Sequence, residues 1–217
     1  MPDLTLRGGV GARIDAEIEI KRSRFLCRLV RVDGEAEARA VVDAARREEW
    51  NARHHCSAFV IGAASAPDQL RRSNDDGEPS GTAGRPMLEA LSGREFIDSV
   101  AVVSRYFGGV LLGAGGLVRA YSDSVLAAID EAHARGAVVA RESRDLYTLA
   151  LPHADAGRIE AELRHRGVNI LGTAYGSRAV ITLSGPGRAE LHDLVAAITA
   201  GGGVLEAAGH ELIDVEP

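Results

Sequence analysis

The chain has 217 residues, 46% of them hydrophobic, enough to bury the cores of two small domains rather than one. Its formal net charge of −6 excludes a protein that coats nucleic acid by bulk positive charge and leaves only a local basic patch for that role. No basic segment leads a long apolar run near the start and no stretch approaches the roughly 18 apolar residues of a membrane span, while two cysteines, Cys27 and Cys56, are too few for a disulfide framework. A cytoplasmic protein with no membrane contact is the expectation. Lys21 is the only lysine, so the arginine bias is read first as the imprint of a GC-rich genome.

In chain order, residues 14–32 alternate (Ile14, Ala16, Ile18, Ile20, then Phe25, Cys27, Leu29) and predict two antiparallel strands joined by a polar turn at 21–24. Residues 35–50, with acids early and Arg46 and Arg47 late, predict a helix whose charges suit its dipole. Residues 54–62 predict a strand. Residues 63–84 have no apolar period and are rich in Gly, Pro, Ser and Asp, which predicts a functional loop of unusual length. A short buried strand is expected at 100–104. After it come Arg105-Tyr106-Phe107-Gly108-Gly109, the cluster Gly113-Ala114-Gly115-Gly116, and a helix carrying Val118, Tyr121, Val125, Ile129 and Ala132 at helical spacing up to Gly136.

Past Arg141 the pattern is strand 146–151, helix 154–166, strand 168–175, strand 179–184, helix 188–200 and strand 204–213. That βαββαβ order is the ferredoxin-like unit. The expected domains are therefore 1–140 and 144–217, with a linker near 140–143. Residues 144–217 carry net −4 and residues 1–143 net −2, so the second domain is the poorer polyanion binder.

The chemistry concentrates in Asp75, Asp76, Gly77, Glu78, Ser80, Gly81, Thr82 and Arg85, together with Arg105, Tyr106, Phe107, Gly108, Gly109, Gly113, Gly115, Gly116 and Arg119. Glycines ahead of a helix are expected to leave the amides of Gly115, Gly116 and Leu117 free for an anion, with Arg105 and Arg119 beside it and Tyr106 and Phe107 as stacking faces. The plainer reading is close helix–strand packing with both aromatics in the core. A long polar loop needs a partner surface, so Asp75, Asp76, Glu78 and Thr82 are expected next to Arg105 and the 113–116 turn. A dinucleotide fingerprint fails, because Val118 stands where the third glycine belongs, and a P-loop fails for lack of Gly-Lys-Ser/Thr. Asp75, Asp76 and Glu78 could hold Mg²⁺, but acidic turns are usually solvated, and no metal or cofactor is assigned. His54 and Cys56 share one strand face and His55 takes the other, so the three cannot ligate one ion and no catalytic residue is assigned.

These segments, with the lead-in Lys21-Arg22-Ser23-Arg24-Phe25 and the strand Ala52-Arg53-His54-His55-Cys56, resemble the signature of the IMPACT (YigZ) family over roughly residues 8–135. Its bacterial two-domain branch also carries a ferredoxin-like tail. The resemblance implies an α+β chain: a first domain folded like ribosomal protein S5 domain 2 and elongation factor G domain IV, then a tail like that factor's domain V. Eukaryotic members inhibit a starvation-activated initiation-factor kinase by competing for its activator; they carry a further N-terminal domain that is not expected here. The expected function is a noncatalytic translation regulator that binds RNA or the ribosome through the first domain. Rivals are an enzyme on a phosphorylated small molecule or nucleotide at the glycine-rich loop, and a protein-interaction module.

Overall fold

The computed structural model describes residues 2–185 and 187–215 and is a mixed α+β protein. The chain divides between Arg141 and Glu142 into two compact units. The ends of the expected domain ranges, residues 1, 216 and 217, lie outside the described residues.

In the first unit, strands β2 (Arg13–Ile20), β3 (Ser23–Arg31), β4 (His54–Ile61), β5 (Leu70–Asn74) and β6 (Ser99–Tyr106) form an antiparallel sheet ordered β2-β3-β6-β4-β5. Strand β1 (Asp3–Leu6) pairs instead with the start of β7 (Val138–Leu151). Alternation assigns the two faces. Val30, Phe59, Val100 and Val102 meet Ala38 and Ala45 of α1 (Glu35–Glu48). On the opposite face Phe25 meets Tyr121 of α3 (Ala114–Ala134) edge-on, at 5.3 Å between centroids, and α2 (Gly84–Gly93) packs against α3 and β4. Burial of this kind, about 25 cal/mol per Å² of apolar surface, holds the layers together.

In the second unit, β7, β8 (Asn169–Tyr175), β9 (Ala179–Ser184) and β10 (Leu205–Val215) are joined in space in the order β10-β7-β9-β8. With α4 (His153–His165) and α5 (Arg188–Thr199) between them in sequence, this is the expected βαββαβ unit. Its core is Leu149, Leu151, Ile159, Leu163, Ile181, Leu183 and Leu191.

Four expectations need correction. The loop expected over 63–84 contains β5, an edge strand whose residues are exposed apart from half-buried Leu70, so it shows no apolar alternation; its pairing with β4 alone fixes it. Helix α2 was not foreseen: Pro86 sits in its first turn, where a missing amide is free of cost, and its leading amides are held by a residue far back in sequence. Residues 140–143 are continuous strand within β7 rather than linker; the Arg141 guanidinium is neutralised by Asp98 and Asp214, and Asp214, also held by Arg31, clusters with the first unit. The polar turn at 21–24 narrows to Lys21 and Arg22, both with positive φ, because Ser23 and Arg24 already pair in β3.

Candidate functional site

The register places Phe25 of β3 and His54 of β4 on either side of Arg105 of β6, so three neighbouring strands present these side chains on the face toward α2 and α3. The Arg105 guanidinium lies 5.5 Å from the Phe25 ring centroid and 5.8 Å from that of Phe107, so the cation is in reach of two aromatic rings. Its Nη1 donates to Glu78 Oε1 at 2.6 Å, and the same oxygen accepts from the Tyr121 hydroxyl at 2.8 Å. Arg105 is 6% exposed and Glu78 8%, which makes this an ion pair almost out of water. Arg105 Nε is buried with no acceptor, an unmet donor on this guanidinium.

Glu78 reaches that position because of how its loop is tied. Asp75 Oδ1 accepts from the amides of Ala83 and Gly84 at 3.0 and 2.8 Å, and Oδ2 from Gly81 at 2.8 Å, closing residues 75–84 onto the start of α2. Burial pushes the Asp75 carboxyl up, but these three amides outweigh it and hold the group below its ordinary value of 3.8. Asp76 accepts from the His55 amide and from Arg46, while its carbonyl meets His54 Nδ1 at 2.8 Å. Thr82 Oγ1 donates to the Pro79 carbonyl, and the Cys56 thiol to the Asp75 carbonyl. Each acid therefore has a protein partner, and among the described residues no three His, Cys, Asp or Glu side chains converge as a metal set. Burial lifts the Cys56 thiol to about 12, so it stays protonated near neutral pH and is a poor nucleophile.

The glycines do two different jobs. A Cβ on Gly108 would lie 2.0 Å from the carbonyl carbon and oxygen of Arg22, so only glycine lets this backbone cross the β2–β3 turn, where the Gly108 amide also donates to Ser23 Oγ. Gly108→Ala is expected to cost about 3 kcal/mol, at the upper end for overpacking, because main chain must move; urea unfolding measures it. Gly113, at φ 74°, starts α3. The Leu117 amide is not free as expected but bonds the Gly113 carbonyl at 2.9 Å, as the first closed turn of a helix requires. The open amides are those of Ala114, Gly115 and Gly116.

A cleft of about 220 Å³ opens beside the pair, lined by Arg53, His54, Arg105, Phe107 and Leu111. Phe107 is 43% exposed and Leu111 82%, and the Arg53 side chain has no ion-pair partner among the described residues. Of the residues expected to form one surface, Arg105, Phe107 and Glu78 meet here. Tyr106 does not: strand alternation turns it to the α1 face, where its hydroxyl donates to Glu49 and Arg24 covers its ring. Arg85 is exposed on α2 and paired with Glu89; Arg119 is exposed on α3, outside the cleft lining. Ser80, Gly81 and Gly109 are exposed, as is Gly77, on which a Cβ would lie 3.5 Å from the His54 ring. Sequence reasoning missed Arg53, His54 and Leu111 as lining and Tyr121 as the second donor to Glu78. The shared face of His54 and Cys56 was a usable signal; for Arg53 there was none.

Comparison with known proteins matches residues 21–129 to the Impact N-terminal domain and residues 149–201 to a domain of unknown function (DUF1949). IMPACT family member YvyE of Bacillus subtilis is 49% identical over 148 residues, 68% of this chain and 65% of that protein, so this match spans less than two thirds of it. IMPACT family member YigZ of Escherichia coli is 41% identical over 168 residues, 77% of this chain and 80% of that protein. The crystal structure of a hypothetical protein, 36% identical, superposes over 97% of this chain and 100% of that one with a TM-score of 0.70.

Proposed function

The chain belongs to the IMPACT family, and from that premise we propose that it is a translation regulator or accessory factor of the cytoplasm that binds single-stranded RNA, free or on the ribosome, at the Arg105 cleft. The reading takes its translational context from the family and its ligand from the site. One observation carries the ligand: a nearly buried guanidinium with an unpartnered Nε lies at a cleft that also offers a free arginine and a half-exposed phenyl ring. A cation and an aromatic face within one small cleft suit a phosphate and its neighbouring base, which a single strand can splay out and a duplex cannot. The open amides of Ala114, Gly115 and Gly116 are a second place where phosphate would be welcome.

Binding to ribosomes and to short single-stranded RNA, measured over a salt series, tests this. Wild-type affinity is expected to fall with salt, and Arg53→Ala to make the log–log slope shallower by about 0.7, the share of one phosphate. Phe107→Ala is expected to cost about 1–3 kcal/mol of affinity with no change of slope, since it removes stacking and no charge. Arg119→Ala tests the α3 end, and Arg188→Ala in the second unit is the control. Absence of wild-type binding at low salt, or an Arg188→Ala loss equal to that of Arg53→Ala, overturns the assignment.

A further inference from the structure

We infer that the β2–β3 turn, Lys21 and Arg22, is a second cationic contact of the RNA surface, holding a backbone phosphate beside the base that stacks on Phe107. The two residues make a two-residue hairpin loop between Ile20 and Ser23, which pair across it, and their φ values are 49° and 66°. Positive φ at both central residues marks a type I′ turn, for which Asn-Gly, Asp-Gly and Gly-Gly are the favoured pairs. Lysine and arginine hold that conformation with Cβ crowded against the following carbonyl oxygen.

No contact inside the protein accounts for that choice of residues. Both are exposed, and neither side chain has a hydrogen-bond or ion-pair partner among the described residues. The acids of the hairpin are engaged elsewhere: Glu17 is held by Arg24, and Glu19 stands across the ladder from the same arginine. Residues 17–24 therefore carry three cations against two acids, and the two uncommitted cations sit at the tip. In a chain of net charge −6 that is a local reversal of sign. Backbone strain that the surrounding contacts do not explain collects at ligand-binding positions.

The turn is fixed beside the cleft. Phe25 lies opposite Arg105 and Arg24 opposite Tyr106, so the register carried one step further sets Ser23 alongside Phe107 and Arg22 alongside Gly108. Direct contacts agree: the Gly108 amide donates to Ser23 Oγ at 3.2 Å, and Gly108 approaches the Arg22 backbone so closely that no Cβ fits. Phe107, the residue before it, forms the cleft wall with Arg53. Arg53 stands on the β4 side of the end of β6, where its amide bonds the Arg105 carbonyl, and the turn stands on the β3 side. Neighbouring strands are about 4.8 Å apart. A single strand with one base on Phe107 therefore finds a cation on each side of the ring, Arg53 for one phosphate and the Lys21–Arg22 tip for the next. The ligand class is a phosphodiester chain of at least two or three nucleotides.

This inference rests on RNA being the ligand of the cleft, and the test separates the two. The double variant Lys21→Asn/Arg22→Gly gives the turn its favoured residues while removing both charges, and Lys21→Gln/Arg22→Gln removes the charges alone. Fluorescence anisotropy with a labelled single-stranded RNA of about ten nucleotides, over a salt series, compares both with wild type and Arg53→Ala, and each protein is also melted. The first double variant is expected to melt at or above the wild-type temperature, by up to about 4 °C. Both double variants are expected to bind RNA about tenfold more weakly at low salt, with a log–log slope shallower by about 1.4, the share of two phosphates. A lower melting temperature for the first would mean that lysine and arginine serve the turn itself, and overturns the inference. RNA binding that Arg53→Ala weakens and both double variants leave unchanged overturns it too, while the cleft stands. No wild-type binding at low salt overturns both.

Discussion

Arg105→Ala is expected to lower the unfolding free energy by about 3–5 kcal/mol, one of the two largest effects of a single substitution in the first unit. Removing the guanidinium leaves Glu78, 8% exposed, with only the Tyr121 hydroxyl bonded to its carboxylate, and takes the cation from beside the Phe25 and Phe107 rings. An unpaired buried charge is the costly part, so Glu78→Ala should be similarly damaging from the other side. Replacing both residues with methionine should recover most of the loss, since a buried pair and an apolar pair of similar volume are often near equal. Urea unfolding of Arg105→Ala, Glu78→Ala and the double alanine variant forms the cycle, with the double methionine variant measured beside it. If the losses of Arg105→Ala and Glu78→Ala simply add in the double variant, the pair does not exist in solution. The same result makes Arg105→Ala a poor probe of RNA binding, because lost affinity would follow from lost structure; Arg53 and Phe107 carry that test.

Asp75→Ala is expected to cost about 2–4 kcal/mol, from three amides deprived of their acceptor, two of them on buried residues at the head of α2. Asp75→Asn should cost less, because one side-chain oxygen remains to serve Ala83 and Gly84 while only the Gly81 amide loses its acceptor. The loop carries Glu78, so loosening it should also expose the Arg105 cleft to proteolysis within 75–84. A pH arm follows from the same geometry. Asp75 in the folded protein titrates below its ordinary 3.8, so its contribution is complete above that value and is lost as pH falls through the lower folded value. Asp214, held down first by its hydrogen bond from Arg31 and also by Arg141, acts in the same direction. Unfolding followed at pH 3 to 6 should show wild type losing stability toward acid more steeply than Asp75→Ala. Parallel curves would mean that the carboxylate is not what closes the loop.

Local pattern carried much of the architecture. The alternation in 14–32 and 54–62, the dipole-suited charges of 35–50 and the apolar spacing from Val118 to Ala132 each encode an element whose burial repeats with its own period. The tail was legible as βαββαβ for the same reason, with glycines marking the turns. Strand β5 and helix α2 were not, since neither displays its own reason for being there. One is an exposed edge held by its neighbour, and the other starts on amides bound by a carboxylate eight and nine residues earlier.

For the site, the sequence by itself determined which residues were chemically unusual: the acids and glycines of 75–82, the Arg-Tyr-Phe-Gly-Gly run and the glycines ahead of α3. Only the tertiary structure decided what each of them meets. It turned Tyr106 to the α1 face while its neighbours Arg105 and Phe107 share the cleft, added Arg53 and His54 to the wall, and joined Glu78 to Arg105 and Tyr121 across 27 and 43 residues of chain. The physical reason is one of range. Strand and helix periods are set by backbone geometry within a few residues, whereas the partner of a buried charge is set by sheet order and register, which the sequence encodes only through the packing of the whole unit.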